Sequence, residues 1–318
     1  VPRDQKPVNS LIYGPVPSRR LGRSLGVDIV PYKTCTYDCI YCQIGRTPKT
    51  TTLRKPYIET SRIIDELKTR LDQGARPDYI TVGGSGEPCL NSEIGTIIRE
   101  IKKISSFPVA VLTNGSLLWD RDVQKALLPA DVVLPSMDGH DPAAFAKINR
   151  PHPDITFDKM VQGLADFRKI YKGSIWLEIF IVAGINDTPE AMEAFKPHLQ
   201  SIDPDKIHLN TAVRPTAEKM PAQVDLQCLE QLASMLGPKA EVVAEFSGSK
   251  STGGLKDMEA EIMEMLLRRP CTASDIAAGL GLRVDAVERK MAILVNAGRV
   301  EIQDSGGRAY YFRPSDSA

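Results

Sequence analysis

Three thiols fall within eight residues, at Cys35, Cys39 and Cys42, in the spacing C-x3-C-x2-C. The stretch Thr34-Cys35-Thr36-Tyr37-Asp38-Cys39-Ile40-Tyr41-Cys42 constrains this chain more than any other. Closed structural metal sites use four protein ligands, whereas catalytic sites keep one position open. A [4Fe–4S] cube held by three thiolates leaves one iron for something that is not protein. The competing reading, three buried small hydrophobes or a redox pair, fits cysteine crowding of this kind poorly.

The 318 residues suffice for one large domain and one small one. The expected division is a domain over 1–246, a linker over 247–254 and a second domain over 255–318. Lys+Arg and Asp+Glu are both 40, so no global field points to nucleic acid or a membrane. Charge is uneven locally: residues 1–60 hold ten basic and four acidic side chains, residues 255–318 nine and ten. The positive excess surrounds the thiol loop and suits an anionic partner there, or marks a solvated basic arm. No apolar run reaches the roughly 18–20 residues of a membrane span. No secretory signal pattern is visible at the start of the sequence. Scattered Cys89, Cys228 and Cys271 suit a reducing cytoplasm, the expected location.

Pro and Gly density over residues 1–24 predicts an irregular segment, with Arg19, Arg20 and Arg23 available to clamp phosphate or carboxylate. A strand follows over 25–31, and the thiol loop leaves its C-terminal end. Strands are then expected at 79–82, 109–112, 131–134, 175–182 and 207–209. Helices are expected at 61–71 (Ser61 as N-cap), 94–104, 120–128, 157–171, 189–199 and 226–236. The stripe of Ile94, Ile97, Ile98, Ile101 and Ile104 carries the clearest helical period. Alternation of this kind implies a parallel sheet with helices outside. Six such units predict a β/α barrel, complete or partial, whose chemistry sits on loops after the strands.

The candidate residues fall on those loops. Val82-Gly83-Gly84-Ser85-Gly86-Glu87-Pro88 follows the second strand; its glycines let backbone approach a ligand closely. Thr113-Asn114-Gly115-Ser116 follows the third and Ser136-Met137-Asp138-Gly139 the fourth, as ligand contacts or as helix caps and Asx turns. Val182 and Ile185 end the fifth. Arg150, His152, Asn210 and Arg214 lie on two Pro-containing loops that open on the same mouth. They are the expected substrate contacts, with His152 a proton donor or a structural histidine.

The thiol spacing, with Tyr41 just ahead of the third cysteine, resembles the signature of the radical S-adenosylmethionine (SAM) superfamily. The resemblance implies that Cys35, Cys39 and Cys42 ligate a [4Fe–4S] cluster and that SAM chelates its open iron. One electron would then cleave SAM to methionine and a 5′-deoxyadenosyl radical. Ser85-Gly86-Glu87 matches the element that holds the methionine amino group. Tyr41, Thr113, Asn114, Ser136 and Asp138 join the cofactor set, Ser136 as a ribose contact, and Val182 and Ile185 face adenine or are ordinary core. A low-potential donor, a flavodoxin or ferredoxin, is the implied electron source. The run from Gly14 through the cysteines, Asn149-Arg150-Pro151-His152-Pro153 and Leu209-Asn210-Thr211-Ala212-Val213-Arg214-Pro215 are similar to the wyosine-synthesis-like iron–sulfur oxidoreductases over residues 10–245. Wyosine synthases act on transfer RNA and carry a second cluster on cysteines ahead of the first. This sequence has none before Cys35.

Beyond the linker, helices are expected at 257–267, 272–280 and 284–297 and short strands at 299–304 and 309–312, a winged-helix order. Nucleic-acid binders are distinctly basic, and this segment is not. A protein-contact module is the leading expectation, RNA or DNA the other. Three functions follow: a radical SAM enzyme on an unidentified anionic, RNA or protein substrate; an activase or other protein-modifying radical SAM enzyme; and an iron–sulfur sensor whose winged helix binds DNA.

Overall fold

The computed structural model describes residues 10–212, 218, 224–243, 258–268, 270–305 and 307–313. Strands β1 (Ile12–Ser18), β2 (Gly22–Val27), β3 (Tyr79–Val82), β4 (Val109–Thr113), β5 (Val132–Pro135), β6 (Ser174–Ile181), β7 (Lys206–Thr211) and β8 (Ala240–Val242) form one sheet in sequence order. β2 through β8 are parallel, and β1 pairs antiparallel with β2. The sheet is the expected α/β architecture, an open relative of a β/α barrel. It adds β8 to the expected parallel strands and begins with a hairpin.

That hairpin corrects the reading of residues 12–24 as irregular; residues 1–9 lie outside the described residues. Pro15 and Pro17 argue against a central strand, but an edge strand has one side on which no N–H is needed. β1 is such an edge.

Helices α1 (Thr60–Asp72), α2 (Ile94–Ile104), α3 (Arg121–Leu127), α4 (Pro142–Asn149), α5 (Phe157–Ile170), α6 (Pro189–Ile202) and α7 (Leu226–Leu236) connect the strands. Glu59, not Ser61, holds the N-cap position of α1, and its side chain makes no cap bond. α4 was not foreseen; Pro142 opens it and the Asp141 carboxylate accepts from Ala144 N. Alternate strand residues, such as Val111, Val133, Leu177 and Ile179, pack with α2 and α5 side chains in the main core. The intervening ones, Ala110, Leu112, Leu134 and Trp176, close a second apolar layer with Leu21 and Tyr79 on the sheet's other face. No helix among the described residues is long and apolar enough to cross a membrane.

The C-terminal residues form α8 (Met258–Arg268), α9 (Ala273–Leu280), α10 (Val284–Asn296) and an antiparallel pair, β9 (Glu301–Ser305) with β10 (Arg308–Phe312). Thr272 caps α9 in a reciprocal box with Asp275. The expected linker over 247–254 lies outside the described residues. Val16 of β1 is buried among Ile262, Met265, Ile276 and Val287, and Arg70 of α1 joins Gly14 O to the Glu261 carboxylate. A Cβ at Gly279 would lie 2.6 Å from Pro17 Cδ, so α9 rides directly on β1. Gly279→Val should therefore loosen this seat at a cost of about 1–3 kcal/mol of overpacking. Limited proteolysis should cut the C-terminal segment first in the variant; an unchanged cleavage pattern would show that the contact does not hold it.

Candidate active site

The thiol loop leaves β2 with no regular structure, so its backbone polar groups need partners from elsewhere. On one side it is joined to the glycine-rich turn after β3. Lys33 N donates to Ser85 O at 2.7 Å and Glu87 N to Thr34 O at 2.9 Å. Gly86 sits so close that a Cβ there would be 2.0 Å from Thr34 O. On the other side it is joined to the end of α4: Ile40 N donates to Ile148 O (3.0 Å), Asp38 N to Asn149 O (3.1 Å) and His152 N to Thr36 O (2.9 Å). The loop is thus laced between two others, with the three thiols half-buried.

Each sulfur receives a side-chain N–H donor, and Cys35 a backbone one from Tyr37 as well. Asn114 Nδ2 reaches Cys35 Sγ at 3.6 Å, Asn149 Nδ2 reaches Cys39 Sγ at 3.4 Å, and Lys33 Nζ reaches Cys42 Sγ at 3.3 Å. Burial pushes the Cys35 thiol up to about 12 and the Cys39 thiol well above its ordinary value.

The expected cofactor residues converge around this loop, but several spend their polar atoms on the scaffold. Ser85 donates its hydroxyl to Asp28 (2.9 Å). The Glu87 carboxylate, 1 % exposed, accepts from Cys89 N (2.9 Å), Thr113 Oγ1 (2.7 Å) and Asn114 N (2.7 Å). Burial raises its pKa, and those donors partly oppose the rise. Asp138, also 1 % exposed, accepts from Tyr41 Oη (2.6 Å), Asn149 Nδ2 (2.7 Å) and Phe180 N (2.9 Å). Burial lifts it to about 6 against those bonds. The Ser136 hydroxyl, half-buried at the end of β5, makes no hydrogen bond among the described residues.

Val182 and Ile185 come together with Tyr41, Phe180, Ile40 and Ala212 in an apolar wall beside the thiols. Tyr41 stacks on Phe180 at 3.8 Å between ring centroids. Phe180, Lys33 and Asn149 escaped the sequence reading. The alternation Trp176, Glu178, Phe180 on β6 was the available signal for the first.

The four expected substrate residues separate. Arg150 forms a two-pronged ion pair with Glu218, and the His152 ring turns back to Asp154 N at 3.3 Å. Their segment serves the thiol loop through its backbone, and Glu218 also pairs with Arg46, which pairs with Asp38 of that loop. Asn210 faces the inner side of the sheet, where its Nδ2 donates to Glu178 Oε1 at 2.8 Å. Arg20, from the β1–β2 turn, pairs with the other oxygen of Glu178. Burial raises the Glu178 carboxyl, but Arg20 and Asn210 outweigh it and hold it low. Arg214 lies outside the described residues.

Residues 29–196, more than half of the sequence, match the radical SAM superfamily. The chain belongs to that superfamily. A UPF0026 protein of Methanocaldococcus jannaschii is 30% identical over 316 residues, which cover 96% of both chains. A Brachyspira hyodysenteriae protein named GTPase Obg is 37% identical over 303 residues, covering 94% of this chain but only 45% of that protein. The present sequence contains no Gly-Lys dipeptide and hence no G-x4-G-K-[ST] phosphate loop. Among solved structures, TYW1 with a lysine-pyruvate adduct bound superposes with a TM-score of 0.53 at 19% identity, over 67% of this chain and 72% of that one. That likeness is one of fold.

Radical SAM enzymes use a [4Fe–4S] cluster and SAM, and the residues here suit both. Three thiols each with an N–H donor match a sulfur-ligated cluster, whose properties depend on hydrogen bonds to sulfur. Among the described residues no three His, Cys, Asp or Glu side chains converge on one ion-sized point, the thiol triad included. For SAM, the half-buried Tyr41 and Ile185 at the margin of the apolar wall offer apolar surface to an aromatic base, and the unengaged Ser136 hydroxyl offers a polar contact. Gly86→Ala should break the lacing to Thr34, costing about 1–3 kcal/mol and reducing iron bound per chain. Iron analysis after anaerobic reconstitution checks this; full loading would show that the loop is held without it.

Proposed function

We propose that this chain reductively cleaves SAM at a [4Fe–4S] cluster held by Cys35, Cys39 and Cys42 and directs the resulting radical at a substrate in the sheet's inner face. The carrying observation is the triad itself: three sulfurs, each with a side-chain N–H donor, on a loop laced at both sides. When bound, the cluster supplies the electron that splits SAM into methionine and a 5′-deoxyadenosyl radical. The protein's own work is orientation and exclusion of water. Tyr41 and Ile185, backed by buried Phe180 and Val182, form an apolar rest for adenine, and Ser136 contacts ribose. The glycine-rich turn presents backbone to the methionine end, with Glu87, Thr113 and Asn114 fixing that turn to β4. Asp138 acts through Tyr41 and Asn149 rather than on SAM.

On the inner face, Asn210, Glu178 and Arg20 lie above the apolar layer closed by Trp176 and are the proposed substrate contacts. Their mixed charge favours a polar or anionic group. The electron source is a flavodoxin or ferredoxin, and the substrate a nucleotide, RNA or protein group.

The C-terminal unit, read as a winged helix, is proposed to contact protein. Four of its cations are already neutralised: Arg283 and Arg289 by Asp285, Lys290 and Arg299 by Glu259. A DNA-binding sensor needs such cations for phosphate. Val284, Ile293 and Ile302 instead expose apolar surface, which favours the protein-modifying variant of the enzyme reading.

Anaerobic reconstitution should give about four irons per chain and, with dithionite, 5′-deoxyadenosine from SAM. Cys35→Ala should abolish both. A wild-type chain that binds iron yet leaves SAM whole contradicts the proposal.

A further inference from the structure

The donors to the three sulfurs are not alike. Asn114 and Asn149 offer neutral amides to Cys35 and Cys39. Lys33 offers an ammonium to Cys42, and it does so from a buried position, 9 % exposed, where water screens little. Among the described residues it is the one cation hydrogen-bonded to the triad. Glu87 and Asp138 act on Cys35 and Cys39 with the opposite sign.

The backbone adds a second observation. Lys33 has φ 60°, in the left-handed region, where a lysine costs about 1 kcal/mol or more and glycine or asparagine sits more easily. The position is held by Lys33 N to Ser85 O and by Thr34 N to Pro31 O. A lysine kept where a cheaper residue fits is a lysine whose side chain is used. Its ammonium also donates to Gly45 O, so the charge is tied on two sides rather than left to wander.

We infer that Lys33 sets the reduction potential of the cluster, a positioning residue for the electron rather than for SAM. The inference rests on the proposed ligation by Cys35, Cys39 and Cys42. Reduction adds one electron, and so one negative charge, to the cluster from a low-potential donor. A fixed ammonium at Cys42 Sγ stabilises the reduced form over the oxidised one, by the same rule that makes net charge and hydrogen bonds to sulfur set such potentials. The ammonium is bonded at Cys42 and acts across space on Cys35 as well, while the amides at Cys35 and Cys39 contribute dipoles only.

The test is an anaerobic redox titration followed by electron paramagnetic resonance, on wild type, Lys33→Met, Lys33→Asn and Lys33→Arg, each with its iron counted. Lys33→Met keeps the length without the charge. Lys33→Asn suits the left-handed backbone and cannot reach the sulfur. Both neutral variants should load iron as wild type does, yet show at least a tenfold lower reduced-to-oxidised ratio at a fixed potential, about 59 mV for a one-electron couple. Lys33→Arg should stay near wild type. Loaded neutral variants with an unchanged potential overturn the inference. So does loss of iron from both, which makes Lys33 a staple between Gly45 and the loop. Failure of wild type to take up a cluster overturns the ligation itself and is read separately.

Discussion

A loop without helix or strand must find hydrogen-bond partners for its backbone outside itself, and the thiol loop finds them on both flanks. The turn at Ser85–Glu87 supplies one set, and the end of α4 through His152 supplies the other. Buried backbone groups left unpaired are costly, so the position of the three sulfurs depends on both flanks at once. Much of the polar architecture follows from this. Asp28 holds Ser85, Glu87 holds Asn114, and Asp138 holds Tyr41 and Asn149. The two asparagines in turn donate to Cys35 and Cys39. The buried carboxylates Glu87 and Asp138 thus hold the asparagines that bond the sulfurs.

The sheet explains why this lacing is possible. Parallel strands place their C-terminal ends side by side, so loops after β2, β3, β4, β5 and β6 all arrive at one edge. Along the inner face of β6 the character changes in steps. Trp176 belongs to the apolar closure, Glu178 to a charged layer with Arg20 and Asn210, and Phe180 to the aromatic wall under Tyr41. A reactive intermediate formed at the edge would meet a dry wall before a polar floor.

The thiol triad and the strand–helix alternation were legible because each is a short-range signal: fixed spacing, and a period in the apolar residues. β1 was not, because Pro15 and Pro17 carry the marks of a loop and only the edge position excuses them. Arg150 and His152 carry contacts that the sequence pattern does not show. Polar residues between prolines look like ligand contacts; here the backbone of that segment also pairs with the thiol loop, Arg150 pairs with Glu218, and His152 accepts from Asp154 N. Lys33 was visible only as part of a local basic excess; its role depends on the left-handed turn that aims it at Cys42.

The claim beneath all of this is that three thiolates hold a cube whose fourth corner is free of protein. Mössbauer spectroscopy of iron-57-reconstituted protein, with and without SAM, tests it most directly. One iron in about four should change its signal when SAM is added, the other three staying as they were. Four irons that ignore SAM, or a spectrum of mononuclear iron, would contradict the account.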